Sequence, residues 1–177
     1  MNPSYIVEIV EGDITKEAVD AIVNAANEAL VRGGGVDAAI HRLAGPELQR
    51  ACLALGGCPT GEARLTPGFR LRARFVIHTV GPVWRGGTSG EPQALAACYR
   101  ASFALAEREH CRSIALPAIS TGIYGYPVEA ATRIAWTEAQ HHGASAQSLE
   151  RVRFVCFDAP TRAVYERIAG EHHPPAA

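Results

Sequence analysis

The sequence predicts an α/β protein whose sheet is covered by helices on both faces. Short β-branched apolar runs alternate with longer segments that carry leucine and alanine at helical spacing. Glycine and proline punctuate the junctions between these segments. The chain has 177 residues, 47% hydrophobic and 20% charged, which suits one soluble globular domain.

Tyr5-Ile6-Val7-Glu8-Ile9-Val10 is short and β-branched and reads as the first strand. Gly12-Asp13-Ile14-Thr15 is a turn, with Thr15 expected to cap a short helix through Lys16-Glu17-Ala18. Ala21-Ile22-Val23 is a buried strand that runs into a glycine-rich loop. A helix follows through Leu43 until Gly45-Pro46 breaks it, and Pro46 opens the next helix through Leu53. Gly56 to Gly61 is a loop. Glu62-Ala63-Arg64-Leu65-Thr66 alternates as an edge strand does, and Arg74 to Val80 is a further strand ended by Gly81-Pro82. Trp84 to Gly90 has loop composition, its tryptophan either capping a site or anchoring the surface. Pro92 to Glu109 is the longest helix, Ser113 to Pro117 a strand with proline at its end, and Ala118 to Pro127 a second small-residue loop. A helix from Val128 to about His141, a strand Val152 to Phe157 and a closing helix Thr161 to Ala169 complete the order. Residues 1–170 are expected to form one unit, and 171–177, with Pro174-Pro175, a disordered tail.

Composition excludes several classes. A formal net charge of −1 provides no field for nucleic acid or anionic membrane. No apolar run approaches the ~18 residues of a membrane span. Met1-Asn2-Pro3-Ser4 lacks the layout of a signal peptide. Five cysteines without C-x-x-C pairing read as reduced packing thiols in a cytoplasmic setting. His141-His142 and His172-His173 have no ligands at metal spacing, so neither metal nor cofactor is assigned.

Chemistry concentrates in Asn24 to His41. Two asparagines, three consecutive glycines, Asp37 and His41 lie between a strand and a helix. Triple glycine exposes backbone N–H groups to close approach, although a plain flexible turn has the same look. Asp37 and His41 are four apart and share one helix face. The loop Ser120 to Gly125 also joins a strand to a helix. Ligands in such sheets sit outside the carboxyl ends of the strands, and helix N-termini hold anions, so the two loops suit two linked phosphates. Gly33-x-Gly35-x-x-Ala38 matches the dinucleotide fingerprint only formally, because the strand ends well before it. The second loop lacks the Gly-Lys-Ser/Thr of a P-loop, leaving a cradle that holds a diphosphate without cleaving it.

Gly12 to Thr15, Asn24-Ala25-Ala26-Asn27, Gly33 to His41, His78-Thr79-Val80-Gly81-Pro82 and Pro117 to Pro127, in that order, resemble the macrodomain family. Within it they resemble the MacroD-type branch and the bacterial O-acetyl-ADP-ribose deacetylases, from about Tyr5 to about Ile168. The resemblance implies a three-layer α/β/α sandwich with a mixed central sheet and an ADP-ribose cleft. It implies that Asp13 takes the adenine amino group, helped by the Ile14 backbone. Gly33, Gly34, Gly35 and Val36 would line one side of the diphosphate, and Ser120, Thr121, Gly122, Ile123 and Tyr124 the other. Asn27 and Asp37 would hold the distal ribose and act in hydrolysis, and His41 would support Asp37.

Plainer roles stand beside these. Asp13 can be a turn residue, Asn24 a backbone-bonding one and His41 a satisfied helix histidine. His78, in an apolar strand, reads as structural, Tyr124 as a lid over the distal ribose and Tyr126 as packing. The implied reaction hydrolyses an ester on the distal ribose, releasing acetyl from O-acetyl-ADP-ribose or ADP-ribose from Asp or Glu of mono-ADP-ribosylated proteins. Asp37 is the obvious carboxylate to take a proton from the attacking water; a helix start favours its charged form and so a weak base, and the alternative is that it orients ribose and water while the substrate's phosphate shares the proton transfer. The alternative is a module that reads ADP-ribose without cleaving it, for which the Asp37 carboxylate is not needed. A nucleic-acid binder, the third class, is opposed by the net charge and the lack of basic runs.

Overall fold

The computed structural model describes residues 4–172. Strands β1 (Ile6–Glu11), β2 (Ala21–Ala25), β3 (Ala63–Pro67), β4 (Phe75–Thr79), β5 (Ser113–Leu116) and β6 (Arg151–Cys156) form one sheet in the order β1-β6-β5-β2-β4-β3. All neighbours pair in parallel except β3, which runs antiparallel to β4 at the edge. The helices are α1 (Gly35–Ala44), α2 (Pro46–Ala54), α3 (Glu91–Arg108), α4 (Val128–Gly143) and α5 (Ala159–His172).

Two-residue alternation along the strands builds two cores. Ala21, Val23, Ile77, Ile114, Leu116 and Phe154 point to one face, where Leu95, Tyr99 and Phe103 of α3, Ala135 and Trp136 of α4 and Tyr165 of α5 meet them. Ile22, Val76, Ala115 and Val155 point to the other, against Ile40 and Ala44 of α1 and Leu48 and Cys52 of α2. The result is the expected α/β/α sandwich with a mixed sheet. All five cysteines are free and buried, and burial pushes Cys52 and Cys111 up to about 11 and Cys156 up to about 12. They are packing groups, not nucleophiles.

Two local expectations change. Asp13, not Thr15, caps the short 3-10 helix Ile14–Lys16: its Oδ1 accepts the Thr15 N–H at 2.9 Å and the Thr15 hydroxyl at 2.6 Å. The two capping residue types stand two apart, and Thr15 is buried inside the turn. The last helix reaches His172, so Glu171 and His172 are helical, with Arg133 and Arg167 pairing to Glu171. The rest of the expected tail, including His173, and residues 1–3 of the signal-peptide reading lie outside the described residues. His142 contacts Glu107 at 3.0 Å and stacks on Phe103, a packing role.

Candidate functional site

A cleft of about 990 Å3 opens at the carboxyl ends of β1, β2, β5 and β6. Parallel pairing puts the loops that leave these strands on one edge of the sheet, where the sequence order alone scatters them over more than a hundred residues. Asp13, Ile14, Asn27, Gly33, Gly34, Gly35, Val36, Asp37, Ser120, Thr121, Gly122, Ile123 and Tyr124 all line the cleft. His41 does not; it is buried behind Asp37.

The glycine loop passes into α1 with Gly34 as N-cap and no side chain bonded there. The N–H groups of Gly35, Val36 and Asp37 are the open donors of a first helical turn. Opposite, the N–H groups of Gly122, Ile123 and Tyr124 meet no acceptor among the described residues. A Cβ at Gly34 would lie 3.8 Å from Ile123 Cδ1, so the two loops face each other across the cleft. Ile123 is 90% exposed and forms an apolar flap there. Ser120 holds a left-handed backbone at φ 66°, its buried Oγ without a partner. Gly81 packs against it: a Cβ there would stand 2.1 Å from Ser120 Oγ.

Asp37 is 5% exposed, and both its oxygens are held. Gly33 N–H donates to Oδ2 at 2.6 Å, and the Asn24 amide donates to Oδ1 at 2.7 Å. The same amide nitrogen lies 3.1 Å from His78 Nδ1, which must therefore accept. The His78 proton then sits on Nε2, 2.9 Å from Thr66 Oγ1, with Cys52 Sγ at 3.6 Å. Burial drives His78 down to about 3, so the ring is neutral. His41 Nε2 stands 3.5 Å from Asp37 Oδ1 and its Nδ1 has no partner. Burial lowers His41 against the opposing pull of Asp37, so it too is a neutral neighbour. The shorter contacts to Asp37 come from Asn24 and Gly33. Asn24 thus bonds side chains, where backbone partners were expected.

Asn27 spends both ends of its amide on Val31, donating to its carbonyl at 2.7 Å and accepting its N–H at 3.2 Å. It shapes the loop and keeps one amide hydrogen free for the cleft. Asp13 is exposed at the far end, held below the usual carboxylate range chiefly by the Thr15 hydroxyl. Trp84 is half-buried on Tyr126, ring centroids 4.6 Å apart, and caps no site.

Sequence reasoning missed four contributors. The sequence marks Asn24 as a backbone-bonding residue and His78 as structural, yet the β2–β4 register sets them side by side, with the Asn24 amide bonded to both His78 and Asp37. Phe157, 85% exposed, lines the Asp13 end with Val155, Asp158 and Pro160. Its position just past the last strand was the available signal. Arg42, one turn beyond Ala38 on α1, brings a guanidinium with no ion pair among the described residues. Among the described residues no three His, Cys, Asp or Glu side chains stand together as metal ligands, and no helix is long and apolar enough to cross a membrane.

Fold and cleft together define an α/β domain with an N–H-lined ligand cleft at the strand ends. The family model described as Macro domain matches residues 23–135. A Macro domain-containing protein of Chlorobaculum tepidum is 56% identical over 167 residues, covering 94% of this chain and 97% of that protein. One from Ralstonia nicotianae is 54% identical, covering 96% and 97%. Among solved structures, the Oceanobacillus iheyensis macrodomain with ADP superposes with a TM-score of 0.91 at 41% identity, covering 96% of this chain and 93% of that one. The Trypanosoma brucei macrodomain in complex with ADP-ribose gives 0.87 at 45%, covering 93% and 69%. The chain belongs to the macrodomain family.

Proposed function

We propose that this macrodomain binds ADP-ribose in the cleft and hydrolyses esters on its distal ribose, with acetyl or a protein Asp or Glu side chain as the acyl partner. The observation that carries the reading is Asp37. Its carboxylate is fixed from two sides in the wall of a cleft whose two loops present open N–H groups. The relatives solved with ADP and with ADP-ribose support the choice of ligand.

In this reading the diphosphate lies between the Gly33–Val36 and Ser120–Tyr124 backbones, where N–H donors compensate its charge. Adenine lies at the far end, its amino group toward Asp13 and its ring against the exposed face of Phe157. The distal ribose lies beside Asn27, Asp37 and Tyr124. Each Asp37 oxygen already accepts one N–H and keeps a further lone pair. That pair orients a ribose hydroxyl and the attacking water, and the neutral His41 and His78 behind it add no competing positive charge. The free amide hydrogen of Asn27 steadies the same ribose. A cytoplasmic, reducing setting is part of the proposal, supported by five unpaired buried thiols.

Incubation with O-acetyl-ADP-ribose and with a Glu-ADP-ribosylated protein, read by mass spectrometry, tests it. Loss of acetyl or release of ADP-ribose is expected. Tight ADP-ribose binding without turnover of either substrate would establish the reader instead, a reading that the engagement of Asn27 with Val31 favours.

A further inference from the structure

A second cavity of about 390 Å3 begins where the proposed distal-ribose end of the cleft stops. Gly81 and Tyr124 line both spaces. Glu28, next in the chain to Asn27, forms one wall, its Oε1 accepting the Thr60 N–H and hydroxyl. The loop that carries the other wall is tied to the cleft, because Trp84 N–H donates to the Tyr124 carbonyl at 2.8 Å. A substituent on the distal ribose therefore has this cavity as its neighbour.

Two side chains here have unmet capacity. Glu91, on the first turn of α3, lines the cavity and is 2% exposed. Its Oε2 accepts the Ser89 N–H at 3.2 Å, which accounts for a helix-start role, but its buried Oε1 has no partner. A native buried oxygen without a donor is uncommon and calls for one. Arg85 lines the same cavity, is exposed, and has no carboxylate or other acceptor among the described residues. The space thus asks for a hydrogen-bond donor on one side and an acceptor on the other. An acetyl group has no donor and is far smaller than this volume. A polypeptide has both, in every peptide unit.

We propose that this cavity is the subsite for the polypeptide segment flanking an ADP-ribosylated carboxylate side chain. The proposal rests on the reading of the main cleft as an ADP-ribose site. It makes the modified polypeptide, rather than free acyl-ADP-ribose, the ligand the protein is shaped for.

Calorimetry with two probes tests it: free ADP-ribose, and ADP-ribose joined at its distal ribose to a short Glu-derived peptide through a hydrolysis-resistant amide. The wild-type protein should bind the conjugate about tenfold more tightly than ADP-ribose, a gain within the range that multiple polar contacts supply. Arg85→Ala, at an exposed residue without partners, should fold normally and remove most of that gain while leaving ADP-ribose affinity unchanged. Glu91→Gln keeps an acceptor for Ser89 and should remove part of it. Equal wild-type affinities for the two probes would overturn the subsite, as would variants that keep the full gain or that weaken both probes alike. Failure of the wild type to bind free ADP-ribose would overturn the reading of the main cleft, a separate result from a missing conjugate advantage.

Discussion

Asn24 donates an amide hydrogen to Asp37 Oδ1 at 2.7 Å while its nitrogen lies 3.1 Å from His78 Nδ1. One buried amide thus fixes the carboxylate of the proposed site to a strand two layers of hydrogen bonds away. The carboxylate of Asp37 is held jointly by the sheet, through Asn24, and by the glycine loop, through the Gly33 N–H.

Removing the carboxylate should separate holding from hydrolysing. In the proposed binding mode adenine and diphosphate lie elsewhere, so Asp37→Ala should leave ADP-ribose affinity nearly intact and lower turnover at least about a hundredfold. Asn24→Ala should be milder, because Gly33 N–H still holds Oδ2. The double variant should lose less than the product of the single losses, since both act on one group. Kinetics with calorimetry reads all three. Near-normal turnover in Asp37→Ala would put the chemistry on another residue.

His78 makes a pH prediction with a definite sign. Its ordinary value is 6.5, and burial takes it to about 3 in the folded protein. Between these values the unfolded chain binds the extra proton, so stability is complete above 6.5 and falls on acidification toward about 3. One such histidine sets a slope of up to about 1.4 kcal/mol per pH unit. His41, lowered by burial, acts in the same direction. Urea unfolding of His78→Asn between about pH 7 and about pH 5 should show a shallower slope than the wild type by about 1 kcal/mol per pH unit averaged over that range. Identical slopes would mean that His78 titrates normally in the folded state.

Gly81→Ala should disturb the cleft through Ser120. The new methyl would meet Ser120 Oγ at 2.1 Å and Ile119 Cγ2 at 2.7 Å, and both must shift. A loss of about 1–3 kcal/mol in stability is expected, as for other overpacked sites. ADP-ribose affinity should fall with it, because the displaced loop carries one set of N–H donors. Adding Ser120→Gly removes the hydroxyl and relaxes the left-handed backbone, so it should restore part of both. Thermal melts and calorimetry check this; no rescue would place the clash at Ile119 alone.

Phe157→Ala addresses the proposed adenine end. The ring is 85% exposed, so the melting temperature should not move. Base stacking on an aromatic ring is worth about 1–3 kcal/mol, so affinity for both ADP-ribose and AMP should drop about fivefold or more. Unchanged AMP binding would place adenine away from Phe157.

Much of this was legible in the chain because its signals are local. Ala21-Ile22-Val23 and Val152 to Phe157 announce strands by composition, and β2 needed the sheet only to extend it to Ala25. Gly45-Pro46 separates α1 from α2 as expected. Asp37 and His41 share a helix face through their spacing, and the structure leaves them 3.5 Å apart. Even a local signal misleads where two residues compete, as Asp13 and Thr15 do for one cap.

The sequence by itself determined the elements, the two glycine- and serine-bearing loops and the family resemblance they carry, because propensity, periodicity and motif spacing act over a few residues. The tertiary structure decided what holds Asp37. Asn24 and His78 are 54 residues apart and become neighbours through the parallel register of β2 with β4. The parallel pairing of β6 with β1 and β5 brought Phe157 to the cleft edge, and the fold joined Glu28, Arg85 and Glu91 around a second cavity. Strand order and register arise from burying two apolar faces at once, a condition on the whole sheet that no short stretch of the chain contains.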